Sequence, residues 1–228
     1  MGSYNVHLQL NDMNKIDRVI CEIDVGLRTL FADPHARRPP PGQPNMFSEA
    51  GGSFDAEFPD AARDESMRLM RVNHAGEVCA QALYQGQAMV ARSPETRNIL
   101  EQAAREEQDH LAWCHTRIAE LNGKASRLTP IFYASSFVLG AISGLLGDKW
   151  SMGFLVETER QVEAHLSDHL NRLPEIDLRS RQIIEAMRID EIHHAQIGLE
   201  HGATELPPPI KAAMRGVSKA MTATTYWL

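Results

Sequence analysis

Glu107-Gln108-Asp109-His110 and, much later in the chain, Glu191-Ile192-His193-His194 are two copies of one pattern, a carboxylate and an imidazole three positions apart. On a helix that spacing puts both side chains on one face, where they can ligate the same metal centre. One such pair alone is a weak signal, and the register of two more glutamates strengthens it. Around the helix-breaking Ser93-Pro94, Glu77 lies nearly as far before the turn as Glu107 lies after it. Around Pro174-Glu175, Glu159 and Glu191 stand equally far from Glu175 on either side. Residues equidistant from the turn of an antiparallel helix pair are level along its axis, here roughly 21–24 Å from the turn. Each hairpin thus carries a lone glutamate on its first helix and Glu-x-x-His on its second, at matching height. The step along the chain from Glu77 to Glu159 nearly equals that from Glu107 to Glu191, which marks a repeated helical hairpin.

The signals around these residues are helical throughout. A first helix is expected from about Ala62 to Ala91, and Ser93-Pro94 caps the next, which runs to Glu120. Asn122-Gly123 supplies a left-handed stop. A third helical region lies between Pro130 and Leu173, and a fourth between Leu178 and His201, closed by Gly202. Pro207-Pro208-Pro209 sets off a last short helix. No stretch alternates as a half-buried strand does. Two packed hairpins give an all-α four-helix bundle in which four glutamates and two histidines converge, the ligand set of ferritin-like di-iron carboxylate proteins. Four carboxylates balance two divalent irons, and one imidazole per iron leaves coordination positions open for oxygen. On the third helix Glu157 and Glu163 compete with Glu159, which fits the register best. His74, one turn before Glu77, either orients it or faces solvent. His165 and His169 are supporting or solvated residues, with solvent the favoured place for His169. Gly76 and Gly86 mark close helix approach.

Composition sets the remaining bounds. A chain of 228 residues suits one domain, or one domain with an appendage. A net charge of −7 disfavours nucleic-acid binding by phosphate neutralisation. Hydrophobic residues at 43% exclude a wholly disordered chain. Cys21, Cys79 and Cys114 cannot all pair and lack C-x-x-C spacing, which fits a reducing compartment. Met1-Gly2-Ser3-Tyr4-Asn5-Val6 has neither a signal-peptide pattern nor the Ser/Thr that myristoylation prefers. Six of the 12 prolines lie between Pro34 and Pro59. Residues 1–60 are therefore read as an appendage, a short amphipathic helix (Ile16, Val19, Ile20, Ile23, Leu27, Leu30) plus a Pro-rich linker, and residues 61–228 as the bundle domain.

Two segments suit a membrane. Leu128 to Gly147 is uncharged and as long as a span, yet rich in Gly and Ser. It is a span, a segment lying in the interface, or a buried helix with small residues for close packing. In the last helix Lys211, Arg215 and Lys219 recur every four residues, Ile210, Met214, Val217 and Met221 are apolar at helical spacing, and Tyr226-Trp227 ends the chain. That pattern reads as a membrane-surface element.

Arg71-Val72-Asn73-His74-Ala75-Gly76-Glu77, Glu107-Gln108-Asp109-His110-Leu111 and the run Asp190 to His201 resemble the demethoxyubiquinone hydroxylase family of ubiquinone biosynthesis, over about residues 65–228. The resemblance implies Glu107 and Glu191 as bridging ligands, Glu77 with His110 completing one iron and Glu159 with His194 the other. It departs at Thr158-Glu159-Arg160-Gln161, where the family pattern has adjacent glutamates. It implies a monooxygenase that uses two iron ions and O₂ to hydroxylate a demethoxyubiquinol-type ring bearing a polyprenyl tail. Electrons would come from NADH or the quinol itself; the sequence shows no Rossmann or flavin motif, and no acid–base residue separate from the ligands is assigned. The expected partners are the quinol, membrane lipid, and either a second copy of the chain or other ubiquinone-biosynthesis proteins. The expected place is the cytoplasmic face of a bacterial cell membrane, as a peripheral protein. Two rivals use the same residues: a ferritin- or rubrerythrin-like iron-storage or peroxide-scavenging protein, and a non-enzymatic membrane-associated helical protein.

Overall fold

The computed structural model describes residues 15–42 and 58–228. They form seven helices: α1 (Lys15–Phe31), α2 (Asp60–Val90), α3 (Pro94–Glu120), α4 (Thr129–Leu145), α5 (Asp148–Arg172), α6 (Leu178–Glu200) and α7 (Pro208–Trp227). No strand occurs among the described residues. The expected pair of hairpins is present: α2 packs along α3 and α5 along α6, and the hairpins meet through α2 against α5 and α3 against α6.

The turns that set the register have specific fastenings. Ser93 Oγ accepts from the Thr96 backbone N–H at 3.0 Å, capping α3 just before Pro94. The Asp148 carboxylate accepts from the backbone N–H groups of Arg92 (2.9 Å) and Ser93 (2.8 Å), so the first hairpin's turn is tied to the start of α5. Asn122, at φ 61°, stops α3 as its sequence implies. Asp177 caps α6 through the Ser180 N–H at 2.9 Å and receives the buried Arg117 guanidinium from α3, also at 2.9 Å. These cross-links fix both hairpins at one height.

The third helical region is two helices. The chain breaks at Gly147, whose φ of 118° only glycine adopts readily, and α4 turns back along α2. Backbones touch there. A Cβ at Gly86 would come within 2.1 Å of the Phe137 carbonyl oxygen, and one at Gly140 within 2.1 Å of that of Leu83. The expectation of close approach holds for Gly86 but fails for Gly76, where a Cβ would meet nothing within 4 Å, because that face borders a cavity.

Of the alternatives for residues 128–147, the span falls: no described helix is long and apolar enough to cross a membrane. The small-residue face of α4, with Gly140, Ser143 and Gly144, is buried. Its other face exposes Ile131, Val138, Leu139, Ile142 and Leu145, beside exposed Ile20, Ile23, Leu27 and Phe31 of α1. In α7 the basic residues are partly engaged within the chain: Lys211 pairs with Glu205 and, at 3.4 Å, with Glu157, which Arg215 also approaches at 3.8 Å.

Two large apolar layers make up most of the core, and a smaller cluster of Val78, Ala82, Leu111 and Tyr133 packs under α4. One large layer gathers Leu69, Met70, Trp113, Leu166, Ile184 and Met187; the other Leu83, Tyr84, Leu100, Met152, Leu155 and Val156. On α2, α3 and α5 the positions of Glu77, Glu107, His110 and Glu159 fall between the two, and on α6 Glu191 and His194 follow directly after the first layer's Met187.

Candidate metal centre

Two adjoining groups of four buried residues occupy that middle layer: Glu77, Glu107, His110 and Glu191, and Glu107, Glu159, Glu191 and His194. Within each, one donor atom per residue lies within 4.8 Å of all the others. Glu107 turns Oε2 to His110 Nδ1 (3.1 Å) and Oε1 to His194 Nδ1 (3.5 Å). Glu191 does the same, Oε1 to His110 (3.3 Å) and Oε2 to His194 (3.5 Å). Glu77 reaches only His110, at 3.8 Å, and Glu159 only His194, at 3.4 Å. Two carboxylates therefore straddle both halves, while each half has its own carboxylate and imidazole.

All six side chains are buried, and several donor atoms have no hydrogen-bond partner: both oxygens of Glu159 and of Glu191, Glu107 Oε1 and His194 Nδ1. A buried carboxylate without partners must take up a proton or meet a cation, since an isolated buried charge is very costly. Burial, reinforced by the charge of Glu107 and Glu191, pushes the Glu77 and Glu159 carboxyls well above their usual range. Burial also pushes Glu107 upward, but the two imidazoles outweigh it and hold that carboxyl low. Both imidazoles are raised in turn: burial opposes their charge, and surrounding carboxylates overcome it. The raised carboxyls and imidazoles hold protons more tightly than free ones do. Hard carboxylate oxygens, imidazole nitrogens and two straddling carboxylates suit a pair of divalent transition-metal ions, which would displace those protons.

Of the three glutamates left open on the third helix, here α5, Glu159 lies in the cluster. Glu157 accepts from Gln161 at 2.7 Å and faces the basic residues of α7. Glu163 accepts from Ser167 at 3.0 Å and pairs with Arg188 at 3.4 Å. His74 neither bonds to Glu77 nor faces solvent. It is buried beside His115, and burial together with that neighbour pushes its pKa down to about 3. His169 likewise corrects the solvated reading: it is buried against His165, ring centroids 3.9 Å apart.

Two acidic residues were missed by sequence reasoning. Asp190 Oδ2 lies 2.9 Å from His110 Nε2, and Glu106 Oε2 lies 2.6 Å from His194 Nε2. Each immediately precedes a straddling glutamate and reaches the imidazole of the other hairpin. The signal was present: both motifs read acid-Glu-x-x-His.

Beside the cluster lies a cavity of about 650 Å³ enclosed by α2, α4, α5 and α7. Its walls are mostly apolar, including Leu83, Phe132, Phe154, Val162 and Met214, and Glu77 forms part of them. Exposed Ile131, Leu139 and Val217 also line it, so it reaches the apolar surface.

The family model described as "Ubiquinone biosynthesis protein COQ7" matches residues 64–225. A protein named 3-demethoxyubiquinol 3-hydroxylase from Nitrosomonas europaea is 52% identical over 216 residues, covering 95% of this chain and all of the relative. Proteins of the same name from Dechloromonas aromatica and Chromobacterium violaceum are 52% and 51% identical, each covering 92% of this chain and 98% of its own.

Proposed function

Because the chain belongs to the ubiquinone biosynthesis protein COQ7 family, we infer that it is a 3-demethoxyubiquinol 3-hydroxylase, a monooxygenase that adds a hydroxyl to the ring of a polyprenyl quinol. The observation that carries this reading is the apolar cavity that runs from an exposed apolar surface to Glu77, one of the clustered carboxylates. Glu77, Glu107, His110, Glu159, Glu191 and His194 would hold two irons, Glu107 and Glu191 bridging them. The unpartnered oxygens of Glu159 and Glu191 support that assignment. When bound, two irons supply the redox chemistry by which dioxygen is reduced, one atom entering the ring and the other leaving as water. Two electrons and two protons are needed besides the quinol, and NADH with one proton from solvent, or a second quinol, provides them.

The chain's own residues do the rest. The cavity takes the ring and the first part of the tail, excludes water, and directs the ring edge towards the Glu77 side of the centre. The remaining tail leaves past Ile131, Leu139 and Val217 into lipid, so a bilayer surface is where this protein works. Its exposed α1 and α4 residues favour peripheral attachment. The cytoplasmic face of a bacterial membrane fits the reducing chemistry of three free cysteines. Residues 61–228 are the bundle domain and residues 1–60 an appendage to it, a division supported by the start of the family match at residue 64.

A storage or peroxide-scavenging protein has no use for an apolar cavity at the centre. Quinone profiling by mass spectrometry in a strain lacking the protein tests the reading: the demethoxy quinone should accumulate, and an unchanged profile would overturn it.

A further inference from the structure

The two imidazoles of the centre are held by different means. His110 and His194 each turn Nδ1 into the cluster and Nε2 to an acid of the other hairpin. Beyond that acid the symmetry ends. Glu106, behind His194, accepts from Gln102 of its own helix at 3.0 Å. Asp190, behind His110, accepts from Arg38 Nη2 at 2.8 Å, and Arg38 belongs to the Pro-rich segment ahead of the bundle.

That arginine is fastened at several points. Its Nε donates to Asp109 Oδ2 at 3.1 Å, and the neighbouring Arg37 backbone N–H donates to Asp109 Oδ1 at 2.6 Å. The Trp113 indole N–H donates to the Arg38 carbonyl at 3.0 Å, and the guanidinium lies 4.9 Å from the centroid of that ring. Trp113 in turn lies against His110, ring centroids 5.3 Å apart. Asp109, His110 and Trp113 are buried, so the arm closes over α3 at the back of one imidazole.

An acid accepting from Nε2–H fixes the tautomer that leaves Nδ1 free to ligate, and it fixes the plane of the ring. Asp190 is part-exposed and needs a partner to stay in place. A guanidinium fork shared between Asp190 and Asp109 gives a fixed geometry that an ammonium cannot reproduce.

We propose that Arg38 is a positioning residue for the metal centre: with Asp190 it holds His110 ready to ligate, its own Nη2 lying 3.5 Å from His110 Nε2, so that the Glu77–His110 position depends on the N-terminal arm more than the Glu159–His194 position does. The proposal rests on the reading of the cluster as a two-metal site. It makes the two positions unequal, one latched from outside the bundle and the other supported from within it.

The test uses the full-length protein loaded anaerobically with ferrous ion and dialysed against graded chelator, bound iron being counted per chain. Loss of an outer partner of a ligating histidine lowers metal affinity about 10–100-fold. At a chelator concentration that leaves the parent about two irons, from the six-ligand count, Arg38→Ala should keep one. Arg38→Lys, with charge but no fork, should fall between. Asp190→Asn combined with Arg38→Ala should release no more than Asp190→Asn alone, because the two act in one chain. Glu106→Gln combined with Arg38→Ala should release both ions, because they act on different positions. Thermal melts of the iron-free variants, unchanged from the parent, would show that the loss is not unfolding. Iron retention by Arg38→Ala equal to the parent's would overturn the latch alone. A parent that takes up no iron would overturn the metal reading and the latch with it.

Discussion

Replacing Glu159 by leucine should stabilise the iron-free protein and destabilise the iron-loaded one. Glu159 is fully buried, neither of its oxygens has a hydrogen-bond partner, and its neighbours include Glu107 and Glu191. Its one cationic contact is His194, which keeps Glu106, Glu107 and Glu191 when Glu159 is removed. An unsatisfied buried polar group costs about 1–3 kcal/mol, and leucine removes it while filling most of its space. For a chain of this size each kcal/mol moves the melting temperature by about 2–4 °C, so iron-free Glu159→Leu should melt roughly 2–12 °C above the iron-free parent. Iron reverses the order. With free ferrous ion at about 100 times Kd, a filled position adds about 2.7 kcal/mol, and the variant forfeits that at the His194 position. Anaerobic thermal denaturation with and without iron reads both effects. A variant that melts below the parent without iron would show that Glu159 is simply a packed core residue. One that gains as much as the parent from iron would show that it is not a ligand.

Glu107→Ala or Glu191→Ala should lose most of both irons, because each carboxylate turns one oxygen to each half of the cluster, whereas Glu77→Ala should lose about one, from the ligand count; elemental analysis after purification decides. Burial holds His169 at a pKa of about 2, neutral in the fold, while the unfolded chain binds a proton below about 6.5. Its contribution to stability therefore falls as pH drops below the unfolded value, by about 1.4 kcal/mol per pH unit. His169→Leu should flatten the pH dependence of urea denaturation by that amount relative to the parent, and parallel curves would contradict the sign worked out here. Ile142→Glu with Leu145→Glu, on the exposed face of α4 away from the cavity, should weaken binding to lipid vesicles at all salt concentrations. Turnover of a long-tailed quinol in vesicles should then fall while a short-tailed, water-soluble analogue is still hydroxylated, and equal losses on both would mean that α4 serves the fold alone.

The bundle and the clustered residues were legible because they depend on local, periodic information. Turn punctuation at Ser93-Pro94 and Pro174 fixes heights, and a spacing of three fixes faces, so Glu77, Glu107, His110, Glu191 and His194 follow from counting. Glu159 was separable from Glu157 and Glu163 only by the same count, and the structure places it in the cluster. What counting missed lies one residue off the ligand face. Glu106 and Asp190 precede straddling glutamates, a step of about 100° around the helix, off the face that the spacing of three marks. They reach an imidazole only because a second hairpin packs alongside. Arg38 was beyond sequence reasoning altogether, since its partners Asp109 and Asp190 are 71 and 152 residues away and no period links them. His169 could have been found: Leu166 and Leu173, three before it and four after, are both core residues on its face.

Oxygen isotope transfer tests the central claim most directly. Protein loaded with ferrous ion to about two per chain, mixed with demethoxyubiquinol in vesicles and exposed to ¹⁸O₂, should yield a hydroxylated quinol carrying one ¹⁸O atom on the ring, and Glu107→Ala should yield none. A hydroxylated product with oxygen drawn from water, or equal yield from the parent stripped of iron, would contradict the account.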